Sequence, residues 1–209
     1  LRDIDTDKAL SWAQEQLSFT LSPMQREAIA TSMQQKAHII TGGPGTGKST
    51  ITNAILMIAN YLTKNILLAA PTGRAAKRMT EITGKESKTI HSLLEYNFAN
   101  GGFKRKLDNP LPCDLIIVDE ASMIDTSLMY SLLRAIPSHA RIIFIGDIHQ
   151  LPSVGAGNVL KDIIHSHRVP VTTLIDIFRQ GEGSLITLNA QRINNGEFPI
   201  LKSRKDADF

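Results

Sequence analysis

The chain has 209 residues, 42% of them hydrophobic and 21% charged, a composition that suits a soluble globular protein with one large domain, or one domain and an appendage. No apolar run approaches the roughly 18 residues of a membrane span, and the single cysteine, Cys113, excludes an internal disulfide and fits a reducing, cytoplasmic setting. The net charge of +3 permits a polyanionic partner without demanding one.

Residues 7–17 carry Ala9, Leu10, Trp12, Ala13 and Leu17 at a helical period, after possible caps at Asp5 and Thr6. Ser22-Pro23 then opens a second helix to about residue 34, with serine at the N-cap and proline at the first helical position. The apolar run 37–40 and the helix-like segment 51–62 flank Gly42-Gly43-Pro44-Gly45-Thr46-Gly47-Lys48-Ser49. The spacing G-x-x-x-x-G-K-[ST] between a strand and a helix is a phosphate-binding P-loop, in which backbone N–H groups and the positive end of a helix dipole surround one point. Gly43, Pro44, Gly45, Thr46, Gly47, Lys48, Ser49 and Thr50 are therefore the candidate nucleotide-binding residues, with Lys48 directed at the phosphates and Ser49 at a Mg²⁺ ion.

Residues 65–70 read as a buried strand ending at Pro71, and Thr72 as the cap of a helix through residue 80 that bears Arg74, Lys77 and Arg78. A short helix is expected at 89–94, followed over 97–112 by a polar loop with the basic triplet Lys104-Arg105-Lys106, a run more often a solvated face than a contact. Four apolar residues then precede Asp119 and Glu120, so two carboxylates stand at the carboxyl end of a strand, where ligands bind in such sheets. Further helices are expected at 126–136, about 156–165 and 184–194, with strands at 140–145 and 171–174. The alternation defines an α/β fold with a mainly parallel β-sheet flanked by helices. With Mg-nucleotide in the loop, Asp119 holds the metal through water and Glu120 orients or deprotonates the attacking water, which favours hydrolysis over mere binding.

These residues resemble the superfamily 1 helicases, and among them the RecD-like branch that includes the exodeoxyribonuclease V alpha subunit. The likeness runs over about residues 21–199 and implies a RecA-like P-loop NTPase domain using ATP and Mg²⁺. Leu21 to Gln25 looks like the Q-motif, which implies that Gln25 reads the adenine. Gly42 to Ser49 is motif I and Asp119-Glu120-Ala121-Ser122 motif II. Pro71, Thr72 and Arg74 fall in motif Ia and His91 in motif Ib, which implies contact with single-stranded DNA. Gly146-Asp147-Ile148-His149-Gln150-Leu151-Pro152 resembles motif III, which puts Gln150 at the γ-phosphate, and Phe178-Arg179-Gln180 resembles motif IV, which makes Arg179 the arginine facing that phosphate from the second motor domain.

The resemblance divides the chain into a helical remnant of a preceding region (1–20), a motor domain (21–175) and the start of a second motor domain (176–209), with motifs V and VI expected past Phe209. A start at Leu1 without methionine agrees with a piece of something longer. Such a piece is expected to bind nucleotide without being an active helicase by itself. The implied activity is ATP hydrolysis coupled to 5′ to 3′ movement on single-stranded DNA in recombination and repair, with other subunits of a helicase–nuclease complex as possible partners and no membrane. An RNA-directed superfamily 1 helicase and a nucleotide-binding regulatory subunit with little turnover stay open as alternatives.

Overall fold

The computed structural model describes residues 5–17, 20–97, 99, 101–175, 185–194 and 196–200. Asp5 caps α1 (Thr6–Gln16) by accepting the Lys8 N–H. Ser22 caps α2 (Pro23–Gln34) in a reciprocal box, Ser22 Oγ accepting from Gln25 N and Gln25 Oε1 from Ser22 N. Two orphan donors are thereby satisfied, and proline sits where no N–H is missed. There follow β1 (Ala37–Gly42), α3 (Lys48–Leu62), β2 (Ile66–Ala70), α4 (Gly73–Thr83), β3 (Ser87–Thr89), α5 (Ile90–Leu93), β4 (Tyr96–Asn97), β5 (Gly102–Phe103) and β6 (Leu115–Val118). A 3-10 turn (Ala121–Met123), α6 (Thr126–Ala135), β7 (Arg141–Gly146), α7 (Val159–His165), β8 (Val171–Leu174) and α8 (Leu185–Asn194) complete the series.

Six strands form one parallel sheet in the order β3-β2-β6-β7-β1-β8. Helical crossovers cover both faces of such a sheet, so its central strands are apolar throughout and alternate residues enter opposite cores. Leu115, Ile117, Ile143 and Ile145 pack with α1, α2 and α3, whereas Ile116, Val118, Ile142 and Phe144 pack with α6 and α7. Truncating one of these, Ile117→Ala for example, removes contacts worth about 2–5 kcal/mol. Leu10 and Ala13 tie α1 into the first core.

The adjacent strands β1 and β7 send the chain to opposite faces, β1 into α3 in the first core and β7 into α7 in the second. Loops that diverge in this way open a crevice at the carboxyl edge of the sheet.

Two elements were not anticipated. β3 adds an edge strand before α5, and the loop after α5 holds the β4–β5 hairpin. The basic triplet is largely committed there: Lys104 Nζ and Arg105 Nε meet the Glu95 carboxylate at 2.8 and 2.6 Å, and Lys106 Nζ meets Asp108 at 3.2 Å. No helix among the described residues is long and apolar enough to cross a membrane.

Candidate active site

The loop between β1 and α3 turns on Gly47, the N-cap of α3, whose φ of 86° an L side chain would strain. Thr46 Oγ1 donates to Gly43 O at 2.9 Å and holds the loop closed on itself. Lys48 Nζ donates to the carbonyls of Gly42 and Gly43. Burial lowers the Lys48 pKa, and the carboxylates of Asp147, Glu120 and Asp119 oppose that effect. The first N–H groups of α3 have no partner within the helix, so the loop ends in an anion-binding terminus.

Facing it, the β6 ladder is prolonged by Asp119 N donating to Ala69 O at 2.9 Å, and Asp119 Oδ1 accepts the Glu120 N–H at 2.9 Å. Glu120 then adopts φ 50° and ψ 40°, a left-handed conformation that costs a non-glycine residue on the order of 1 kcal/mol or more. Its Oε2 is buried without a hydrogen-bond partner among the described residues. Burial raises the Glu120 carboxyl above the usual range, with neighbouring Asp119 adding to the effect, and burial likewise raises Asp119.

β7 delivers the third component. Asp147 is buried and its Oδ1 accepts the His149 N–H at 2.9 Å, which shapes the turn that carries the exposed Gln150. A Cβ on Gly146 would stand 2.9 Å from Leu160 Cδ2 and 3.2 Å from Ser122 N, so the end of β7 is pressed against the turn that follows Glu120.

These pieces enclose a cleft of about 320 Å³ lined by Pro44, Gly45, Thr46, Gly47, Lys48, Ser49, Thr50, Asp119, Glu120 and Gln150. Gly43 joins them through the carbonyl that Lys48 holds. Arg78 of α4 lines the same cleft, and the sequence reading missed it. Its helix was legible, but only the packing of α4 beside α3 shows which flank turns inward. Gln25 stands apart from the lining: it is 3% exposed and its Oε1 serves the α2 cap. Phe178-Arg179-Gln180 lies outside the described residues.

The residues assigned to DNA contact gather at one sheet edge, because the β2–β3 register pairs Ala70 with Thr89 and so sets Pro71 and Thr72 beside the start of α5. Thr72 Oγ1 caps α4 by accepting from Ala75 N at 3.2 Å, and Arg74 is exposed on that helix. The exposed His91 makes edge and tilted ring contacts with Tyr96 and Phe103 at 5.9 and 5.7 Å. Cys113 is buried, and burial pushes its thiol up to about 11, which leaves it unreactive at neutral pH.

A parallel sheet with a P-loop after the inner strand β1 and two acids at the end of the next strand but one, β6, defines a RecA-like P-loop NTPase domain. The family model for an AAA domain matches residues 25–156. Among curated proteins, the chain is 40% identical to the ATP-dependent RecD2 DNA helicase of Deinococcus radiodurans over 185 residues, 88% of this chain and 25% of that protein. It is 37% identical to the RecBCD enzyme subunit RecD of Haemophilus influenzae over 163 residues, 66% of this chain and 26% of that protein. The crystal structure of Bacteroides Pif1 bound to single-stranded DNA superposes with a TM-score of 0.63 at 22% identity, over 87% of this chain and 47% of that one. The chain belongs to the AAA domain family, in the RecD-like branch of the superfamily 1 helicases. It spans a quarter to a third of the length of the curated relatives it matches.

Proposed function

We propose that this chain is the ATP-hydrolysing motor domain of a DNA helicase that moves 5′ to 3′ along single-stranded DNA in recombination and repair. The observation that carries the reading is the buried, unpartnered Glu120 Oε2 in the same cleft as Lys48, Ser49 and Asp119. A carboxylate kept without a partner at the end of a strained turn is suited to take a proton from a bound water. In this reading the N–H groups of residues 43–50 cradle the phosphates, and Lys48 exchanges its two loop carbonyls for β- and γ-oxygens. Glu120 orients water in line with the γ-phosphorus and accepts its proton as the bond to the β,γ-bridging oxygen breaks. Gln150 contacts the γ-phosphate, Gln25, with its Oε1 held in the α2 cap, serves the adenine through its amide nitrogen, and Arg179 completes the charge from the second motor domain.

The donor set fits Mg²⁺. Ser49 and Asp119 are oxygen donors in one cleft, and no cluster of three or more His, Cys, Asp or Glu side chains able to hold a metal occurs among the described residues. With Ser49 as a direct oxygen ligand and Asp119 acting through water, the remaining positions would go to water and phosphate, the usual state of Mg²⁺, which when bound would neutralise charge on the phosphates.

The domain division follows the same reading: 1–20 as a remnant of a preceding region, 21–175 as the motor domain, and 176–209 as the opening of the second. Single-stranded DNA runs past Pro71, Thr72, Arg74 and His91 in this reading, and binding of such DNA is supported by the structurally similar Bacteroides Pif1, which is itself bound to single-stranded DNA. Partners in a helicase–nuclease complex are supported by the RecBCD subunit among the relatives, and a cytoplasmic setting by the DNA-processing enzymes among them.

The test is ATP turnover of the full-length protein with and without single-stranded DNA or RNA, beside Lys48→Ala. DNA-stimulated turnover that Lys48→Ala abolishes together with nucleotide binding is the expected result. Turnover indifferent to DNA, stimulation by RNA instead, or an active Lys48→Ala variant would overturn the reading.

A further inference from the structure

The geometry points to Arg78 as a catalytic residue that contacts the terminal phosphate of the nucleotide, a cation supplied from within the domain by α4. This rests on the reading of the cleft as an ATP site.

Arg78 lies in α4 between Lys77 and the buried Met79, and the two neighbouring cations turn different ways. Lys77 points outward, 81% exposed at its side chain, and meets Glu81 at 4.0 Å. Arg78 instead joins Lys48, Ser49, Asp119, Glu120 and Gln150 in lining the cleft. It makes no hydrogen bond or ion pair with any described residue, although Asp119 and Glu120 are near enough to feel its charge. A long cation that faces two acids without pairing is a group whose partner arrives with the ligand, since an available carboxylate would otherwise take its bidentate guanidinium.

Charge favours the same assignment. The cleft gathers the carboxylates of Asp119, Glu120 and Asp147 around one lysine. Negative charge spreads over the three oxygens of the transferred phosphoryl group in the transition state, and a positioned arginine answers it. Arg78 also stands one helical turn after Arg74, on the same flank of α4. The helix that carries the strand-facing Thr72 and Arg74 at its start thus carries a phosphate contact one turn on, and a shift of α4 moves both.

The experiment uses Arg78→Gln and Arg78→Lys in the full-length protein, with binding of ADP and of a non-hydrolysable ATP analogue measured by fluorescence beside turnover. For Arg78→Gln the expected result is roughly a tenfold loss of analogue affinity, less than twofold loss for ADP, and a turnover lower by about 10²- to 10³-fold, with partial recovery in Arg78→Lys. Unchanged thermal unfolding shows that the exposed position does not serve folding. Equal losses for the two nucleotides, or full turnover in Arg78→Gln, overturn the assignment. If the wild type binds both nucleotides without turning over ATP, the ATPase reading falls, while the analogue-to-ADP comparison still decides whether Arg78 touches the terminal phosphate.

Discussion

The two ends of β6 carry carboxylates under opposite regimes. Before the strand, the Asp114 carboxylate accepts from the Thr63 hydroxyl and from Asn65 Nδ2 at 3.2 Å, and lies 3.3 Å from His139 Nε2. These partners, the Thr63 hydroxyl foremost, hold its carboxyl below the usual range. After the strand, Glu120 sits in a left-handed turn with Oε2 unpartnered and its carboxyl raised by burial. One strand thus separates an acid that the fold satisfies from an acid that the fold leaves over. Buried polar groups are nearly always paired, so an unpaired, strained one at the ligand edge of a parallel sheet marks chemistry, and a paired one at the other edge marks stability.

The largest break in this contrast is expected from Glu120→Gln. Turnover falls by about 10²- to 10⁴-fold, the range for removing a general base, while nucleotide affinity stays near that of the wild type. The same change should stabilise the protein. A carboxyl whose folded pKa is raised contributes favourably only while protonated, and that contribution is lost as pH rises through the folded value. At neutral pH the buried charge is therefore a cost that glutamine removes. Calorimetry is expected to show a higher Tm for Glu120→Gln at neutral pH, with the difference shrinking towards about pH 4; a lower Tm, or retained turnover, would break the account.

His38 sharpens the comparison from the middle of the sheet, where a polar group is buried and fully answered. Ser32 Oγ donates to Ala28 O at 2.8 Å, so its oxygen is left to accept the His38 Nδ1 proton at 2.9 Å. His38 Nε2 then accepts the Thr172 hydroxyl at 3.0 Å, which ties α2, β1 and β8 together. Burial lowers this imidazole from 6.5 to about 4, so the stability it confers is complete above the unfolded value and is lost as pH falls through about 4. The shift corresponds to about 3 kcal/mol. Urea unfolding midpoints should drop across that window in the wild type and stay flatter in His38→Gln; parallel profiles would remove His38 from the acid response.

Periodicity and punctuation made most of this legible. Proline after Ser22, threonine before Gly73 and a glycine-rich turn between an apolar run and a helix each announce a local geometry; α2 and α4 begin where their caps indicate, whereas α3 begins at Lys48, ahead of the apolar segment 51–62. The short edge strand β3 and the hairpin after α5 were hidden because two- and three-residue pairings have no period to read. In the site, contiguous motifs could be assigned from spacing, whereas Arg78 could not. Helical spacing shows that it shares a flank with Arg74, and only the tertiary placement of α4 against α3 says that the flank turns to the phosphate loop. Gln25 shows the converse: the residue type is visible in sequence, but its Oε1 is engaged in the cap of its own helix.

The smallest effect, and the sharpest control, is expected from Asp114→Asn. The substitution keeps the shape and removes the charge from the hydrogen bonds of Thr63 and Asn65, which are worth more to an ionised acceptor than to a neutral one. The expected loss is about 1–2 kcal/mol at neutral pH. Because the folded carboxyl is lowered, its contribution is present above the unfolded value and disappears as pH falls through the folded one, so the variant and the wild type should converge in acid. Nucleotide affinity and turnover should stay within about twofold of the wild type, since Asp114 lies at the edge of the sheet opposite the cleft. In one calorimetric series at neutral pH, amidation at the start of β6 then lowers Tm and amidation just past its end raises it. If both substitutions moved Tm in the same direction, neither carboxylate would be set by the partners described here, and the division between a stabilising and a functional edge would fail.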